Sequence, residues 1–196
     1  MFKKVLFSSI ICLSLVFSMQ ENSFAQEKTE DELKAEREVL KSEMKSKQAE
    51  ERKEKFEKLR APGTSGITTI DQLMSSSTQI LASTKYINAV LPDVYKRTIG
   101  ETIDGITDIT VKKPQLDELL ELATSIALQI QAVAQASTAV AKAPEELKKA
   151  SPMNAPKGLK SINYTKDVLT ITGPELELSS KIVNNLIATI KSANNN

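Results

Sequence analysis

The sequence contains no histidine and no tryptophan, and its one cysteine is Cys12. Without histidine there is no imidazole general base, no Ser-His-Asp triad and no Cys-His dyad. A zinc site built from histidine and cysteine is excluded on the same ground, as is a di-iron bundle site, which needs Glu-x-x-His. An excess of charge of one sign is missing too: 26 Lys+Arg face 25 Asp+Glu, for a formal net charge of +1. A nucleic-acid binder needs a basic patch to neutralise phosphates, so no nucleic-acid partner is expected. No glycine-rich phosphate loop, Walker motif or dinucleotide fingerprint occurs, and no cofactor is expected.

What is present begins with an export signal. Lys3 and Lys4 form a positive n-region, Val5 to Phe17 an apolar run, and Ser23-Phe24-Ala25 places small residues at the −3 and −1 positions of a cleavage site. Cleavage is expected after Ala25, into a periplasmic or secreted location in a bacterial cell envelope. The apolar run is short for a spanning helix, which needs about 20 residues. Cys12 follows Ser9-Ile10-Ile11 inside the run rather than a small residue at its end, which argues against lipidation. Cleavage removes Cys12 and four of the five Phe, so no disulfide is expected and the aromatics left are Phe56, Tyr86, Tyr95 and Tyr164.

Beyond the signal, composition divides the chain in two, with expected boundaries at 1–25 (signal peptide), 26–61 (charged helical arm) and 62–196 (helical-bundle domain). In 27–60, 22 of 34 residues are charged, 11 of each sign, with no Gly or Pro. Thr29 and Glu32 have capping-box spacing. Glu30–Lys34, Glu43–Lys47, Glu51–Lys55 and Glu54–Lys58 are i,i+4 pairs, each worth about 0.2–0.5 kcal/mol. The spacing predicts one helix over about 30–60, roughly 45 Å long, stopped by Ala61-Pro62-Gly63. Its apolar residues (Leu33, Val39, Leu40, Met44, Phe56, Leu59) do not sustain a heptad, because Lys47 and Glu51 interrupt the stripe. The segment reads as a solvated helix or partly disordered arm, with a coiled-coil or docking arm as the sharper reading.

Residues 61–196 carry 36 Ile, Leu and Val, and every Gly and Pro of the chain. That is enough aliphatic surface for one core. Leu73, Ile80, Ile87 and Val94 recur every seven residues, as do Leu119, Ile126, Val133 and Val140, and Leu176, Val183 and Ile190. Taken as punctuation, Pro92, Pro144 and Gly173-Pro174 break the chain. The expected helices are then 69–91 with a kink or short helix at 92–99, about 114–142, a short one from 144 to about 149, and one from about 175. Residues 159–171 read as helix or strand, and Gly105 to Val111 as loop, short helix or strand. Four amphipathic segments on short connections imply an all-α fold, an antiparallel helical bundle of about four main helices with a long charged N-terminal helix or arm.

Candidates for chemistry are weak. Leu122 to Ala141 is uncharged and long enough for a bilayer span, but Gln129, Gln131 and Gln135 make it mildly apolar, and it reads as the central helix of a bundle. Glu101, Asp104 and Asp108 share a helical face and could offer oxygen ligands to a hard cation, without an EF-hand pattern; the blander reading is a solvated polar face. Glu118 with Glu121, or Glu145 with Glu146, are conceivable acid/base pairs, in a chain without the aromatic platforms such hydrolases use. Asn163-Tyr164-Thr165 is a formal glycosylation sequon, read as coincidence in a bacterial protein. No catalytic, cofactor-binding or metal residues are therefore expected. The favoured reading is a non-catalytic interaction or scaffold protein whose charged arm contacts a protein partner or a second copy. The alternative is a membrane-active, pore-forming-like helical protein using 122–141; membrane contact is the less favoured of the two.

Overall fold

The computed structural model describes residues 28–100, 102–103, 106–107 and 112–194. The expected signal peptide lies outside these residues, as do Glu101, Asp104 and Asp108. The described chain is all-α, with helices α1 (Glu30–Met44), α2 (Lys47–Lys58), α3 (Thr68–Ile99), α4 (Leu116–Lys149) and α5 (Ala155–Asn194). Between α3 and α4, β1 (Thr102–Ile103) pairs antiparallel with β2 (Ile106–Thr107).

Local chemistry sets the helix starts. Thr29 and Glu32 form the capping box in both directions, satisfying two of the orphan N–H groups at the start of α1. No side chain caps α3; instead Asp71 in its first turn ties down the preceding loop, accepting from the Ser65 amide and hydroxyl, both at 2.7 Å, and from the Gly66 amide at 3.0 Å. Gly66 turns there with φ of 77°, a conformation that disfavours any side chain.

The charged segment departs from the single helix expected of it. Lys45 ends α1, and Ser46 caps α2 by accepting from the Ala49 amide. The break resolves a phase slip in the sequence. Leu33 and Leu40 lie seven residues apart, but the next heptad position is Lys47. Restarting the helix brings Ala49 inward instead, and Phe56 follows seven later. All four are buried, so the arm is a packed layer rather than a solvated helix.

The three long helices close the core through the stripes legible in the sequence. Ile70, Leu73 and Ile80 of α3 meet Ala136, Val140 and Ala143 of α4 and Ile162 of α5. At the other end, Ile87, Leu91 and Val94 meet Leu119 and Ile126 of α4 and Leu176, Val183 and Leu186 of α5. These pairings run α4 opposite to α3 and α5. Phe56 of α2 joins Leu81, Tyr164, Val168 and Ile171 in a third cluster. α5 packs against all four other helices and occupies the centre. α4, expected there, lies at the side: only 17% of its most apolar stretch is buried.

None of the three expected proline breaks ends a helix. Pro92 lies inside α3, Pro144 inside α4 and Pro174 inside α5, and 159–171 is helical throughout. An interior proline costs about 3 kcal/mol. Each is opposed by apolar side chains packed beside it: buried Leu91 and Val94, buried Ala143 with half-buried Leu147, and buried Ile171 and Leu176. A fully buried Val, Leu or Ile side chain contributes about 1.5–3 kcal/mol, so the pairs beside Pro92 and Pro174 match or exceed the cost of one proline.

Gly173 supplies a simple test of that continuity. It sits within α5, and a Cβ there would meet only Val133 Cγ1, at an ordinary 3.9 Å. Gly173→Ala is expected to shift stability by less than about 0.5 kcal/mol, because the usual gain of alanine over glycine in a helix is opposed by the crowding of its Cβ against the Pro174 ring. Urea-unfolding midpoints of the two proteins measure it.

Candidate functional site

Chemistry in this chain must come from carboxylates, amides, hydroxyls and cations. Their largest assembly lies where α1 and α2 run back along α5. Asn185 of α5 is buried within the Val183–Leu186 stripe. Its Nδ2 donates to the Leu33 carbonyl at 3.1 Å and to Glu36 Oε2 at 2.7 Å. Arg37 donates to Asn185 Oδ1 at 3.3 Å and to the Thr189 hydroxyl at 2.7 Å. These bonds fix the rotation of α1 and leave Asp31, Lys34, Glu38, Lys41 and Lys45 facing outward, all exposed.

α2 is fixed by an ion pair. Arg52 Nε donates to Glu175 Oε1 at 2.6 Å, with side chains 18% and 7% exposed. Asn88 Nδ2 of α3 donates to the other carboxylate oxygen at 3.3 Å. Glu175 directly follows Pro174, so one buried carboxylate ties α2, α3 and α5 together. Nothing local in the sequence marks these residues, because Arg52 and Glu175 are 123 positions apart. Of the i,i+4 pairs expected on the arm, Glu54–Lys58 forms at 3.3 Å, whereas Glu51 faces Lys47 at 3.8 Å.

The paired carboxylates considered from sequence do not converge. Glu118 is held by both terminal guanidinium nitrogens of Arg97, at 2.6 and 3.0 Å, which joins the end of α3 to the start of α4. Glu121 is exposed, and Glu146 pairs with Lys149 at 3.0 Å beside an exposed Glu145. Asn163 of the sequon is exposed. Among the described residues no group of three His, Cys, Asp or Glu side chains could hold a metal ion.

Electrostatics of these contacts give a pH signature. The Arg97 hydrogen bond holds Glu118 below the usual carboxylate range. The backbone N–H of Thr29 does the same for Glu32. Burial pushes Glu36 upward, but bonds from Lys28 and Asn185 outweigh it. Burial likewise opposes, and the Ser65 and Gly66 bonds outweigh, at Asp71. Each depressed carboxylate binds fewer protons folded than unfolded near its titration. The stability it contributes is therefore complete above the unfolded value of about 4, and is lost as pH falls through the folded value. With no histidine, no side chain with an ordinary pKa titrates between about pH 5 and pH 8. Urea midpoints are expected to be level across that plateau and to drop steadily below about pH 4.5. A midpoint that moves between about pH 6 and pH 7 would contradict this account.

α4 presents the other distinctive surface. Among the described residues it is the one helix long and apolar enough to cross a membrane. Its outward side carries Leu120, Thr124, Ala127, Leu128, Gln131 and Gln135, all exposed and all uncharged. Leu128 is 59% exposed.

No protein-family model, no curated protein and no solved structure matches this chain.

Proposed function

We propose that this protein is an exported, non-catalytic interaction or scaffold protein of the bacterial cell envelope, an antiparallel helical bundle with the charged N-terminal segment as its contact layer. One observation carries the reading. α1 and α2 bury Leu33, Leu40, Ala49 and Phe56 against the rest of the molecule and turn a dense set of both charges outward. An outer layer of this kind contributes little to stability, since exposed ion pairs are worth about 0–1 kcal/mol. It can set the orientation and rate of an encounter with a partner of matching charge pattern. The partner is another protein or a second copy of this chain.

Deleting 27–60 is a poor test, because it would uncover the core around Val168 and Leu186. A better one replaces Lys34, Glu38, Lys41 and Lys45 together by Gln, which leaves every buried contact in place. Crosslinking in the native cell should recover a partner with the wild type and lose it with this variant, at equal thermal midpoint. Unchanged recovery would remove the arm from the proposal.

The exposed, uncharged side of α4 favours a second reading, a membrane-active protein that inserts α4. Dye release from liposomes by the chain beginning at Gln26 tests it; intact liposomes across acidic and neutral pH, with neutral and anionic lipids, would end it.

A further inference from the structure

Three interruptions of helical regularity fall at one level of the molecule: the α1–α2 break at Lys45–Ser46, Pro92 in α3, and Gly173-Pro174 in α5. A pocket of about 430 Å³ opens there, with walls from Met44, Phe56, Leu91, Leu178 and Ile182. Its size is that of a small-ligand site. Its polar groups have a consistent character. Ser179 lines it and is 2% exposed, yet its hydroxyl has no hydrogen bond among the described residues. The buried hydroxyls of Ser77, Thr84, Thr98 and Thr172 donate to the carbonyl four residues back, whereas that of Thr165, away from the pocket lining, has no partner among the described residues. Asn88 lines the pocket too; its amide nitrogen is used by Glu175, while its side-chain oxygen accepts nothing among the described residues. Its main-chain carbonyl lacks its ordinary donor, because Pro92 four residues on has no N–H. The pocket is therefore mostly apolar surface with the Ser179 hydroxyl, which can accept or donate, and the Asn88 side-chain oxygen, which can accept. The rim carries lysines. Lys53 is exposed and Lys85 half-exposed; of the two carboxylates that line the pocket, Glu57 sits 4.0 Å from Lys85 and the buried Glu175 is paired with Arg52.

We propose that this pocket binds the apolar C-terminal residues of a polypeptide. Apolar side chains would meet the walls, backbone N–H groups would donate to Ser179 and Asn88, and the terminal carboxylate would lie between Lys53 and Lys85. A fatty carboxylate suits the walls and lysines but brings no donor to the interior. An alkylammonium brings donors but meets two lysines at the rim. A polypeptide end supplies all three chemistries, and terminal carboxylate capture is a recurring recognition mode. The inference deepens the interaction reading by naming what a partner presents. It is tested apart from that reading, since Lys34, Glu38, Lys41 and Lys45 do not line the pocket.

The probe is a fluorescein-labelled hexapeptide ending in alanine, leucine and valine with a free carboxylate, titrated with the full chain from Gln26 and read by anisotropy. Saturable binding is expected. The same peptide with an amidated end should bind about ten-fold more weakly, the loss of a charge-assisted contact. The double variant Lys53→Gln, Lys85→Gln should weaken the acid peptide by the same factor and leave the amide peptide unchanged. Ser179→Ala should weaken both peptides alike. Thermal midpoints guard against misfolding, and the rim lysines are exposed enough to leave the fold intact. No saturation, equal binding of acid and amide, or displacement of the peptide by decanoate or decyltrimethylammonium at comparable affinity would each overturn the proposal.

Discussion

Arg52→Ala is expected to lower stability by about 3 kcal/mol, because it leaves the Glu175 carboxylate buried with only Asn88 as a donor. For a chain of this length that corresponds to a fall in Tm of about 6–12 °C. The size of the effect comes from the stranded charge rather than from the attraction lost. Changing both members, Arg52→Met with Glu175→Leu, should therefore recover most of the loss, since an apolar pair of similar volume strands nothing. A double-mutant cycle in urea separates the two causes. If Arg52→Ala alone cost under about 0.5 kcal/mol, the pair would behave as a solvated surface contact, and the seating of α2 on α5 would need another explanation.

Gly158→Leu is expected to cost about 3 kcal/mol or more, and even Gly158→Ala about 1 kcal/mol. Gly158 lies in the first turns of α5, where the end of α4 and the start of α3 come close. A Cβ there would stand 2.7 Å from Leu147 Cδ2, 2.9 Å from Ile67 Cδ1 and 3.3 Å from Ile70 Cδ1. In an open helix alanine gains about 0.5–1 kcal/mol over glycine. At Gly158 the crowding outweighs that gain. Methyl groups can rotate away from one added carbon, so alanine costs less than leucine. Adding Leu147→Ala to Gly158→Ala makes the room that the methyl needs. The pair should then sit closer to the Leu147→Ala single variant than additivity allows, which urea midpoints would show. Additive costs would mean that the helices can separate freely at this end.

Much of the fold was legible because local and long-range preferences agree there. Thr29 with Glu32 marked the start of α1. The seven-residue recurrences of Leu73, Ile80, Ile87 and Val94, and of Leu119, Ile126 and Val140, named side chains that are buried. Where the two disagree, packing wins and the sequence misleads. A proline lowers local helix preference whatever surrounds it, but whether the helix ends depends on what Leu91 and Val94 find to pack against. The arm failed as one heptad pattern because its stripe changes phase by two residues at the α1–α2 break. The contact residues were hidden for a different reason. Arg37, Arg52, Asn185 and Glu175 carry no motif and become partners only through separations of more than a hundred residues. A buried polar residue inside an apolar stripe, as Asn185 is between Val183 and Leu186, was the one available cue.

The seat of α1 also sets an order of events. The first described helix of the chain rests on the last: Arg37 and Thr189 are 152 positions apart. During synthesis α1 and α2 emerge early and have no surface to rest on until α5 is nearly complete. Contacts of such long range close late and slow folding. Through that interval Leu33, Leu40 and Phe56 stand open to solvent, to proteases and to each other's copies. A chain that stops short of Asn185 never gains the seat, so its unfinished form is marked at the end opposite to the defect.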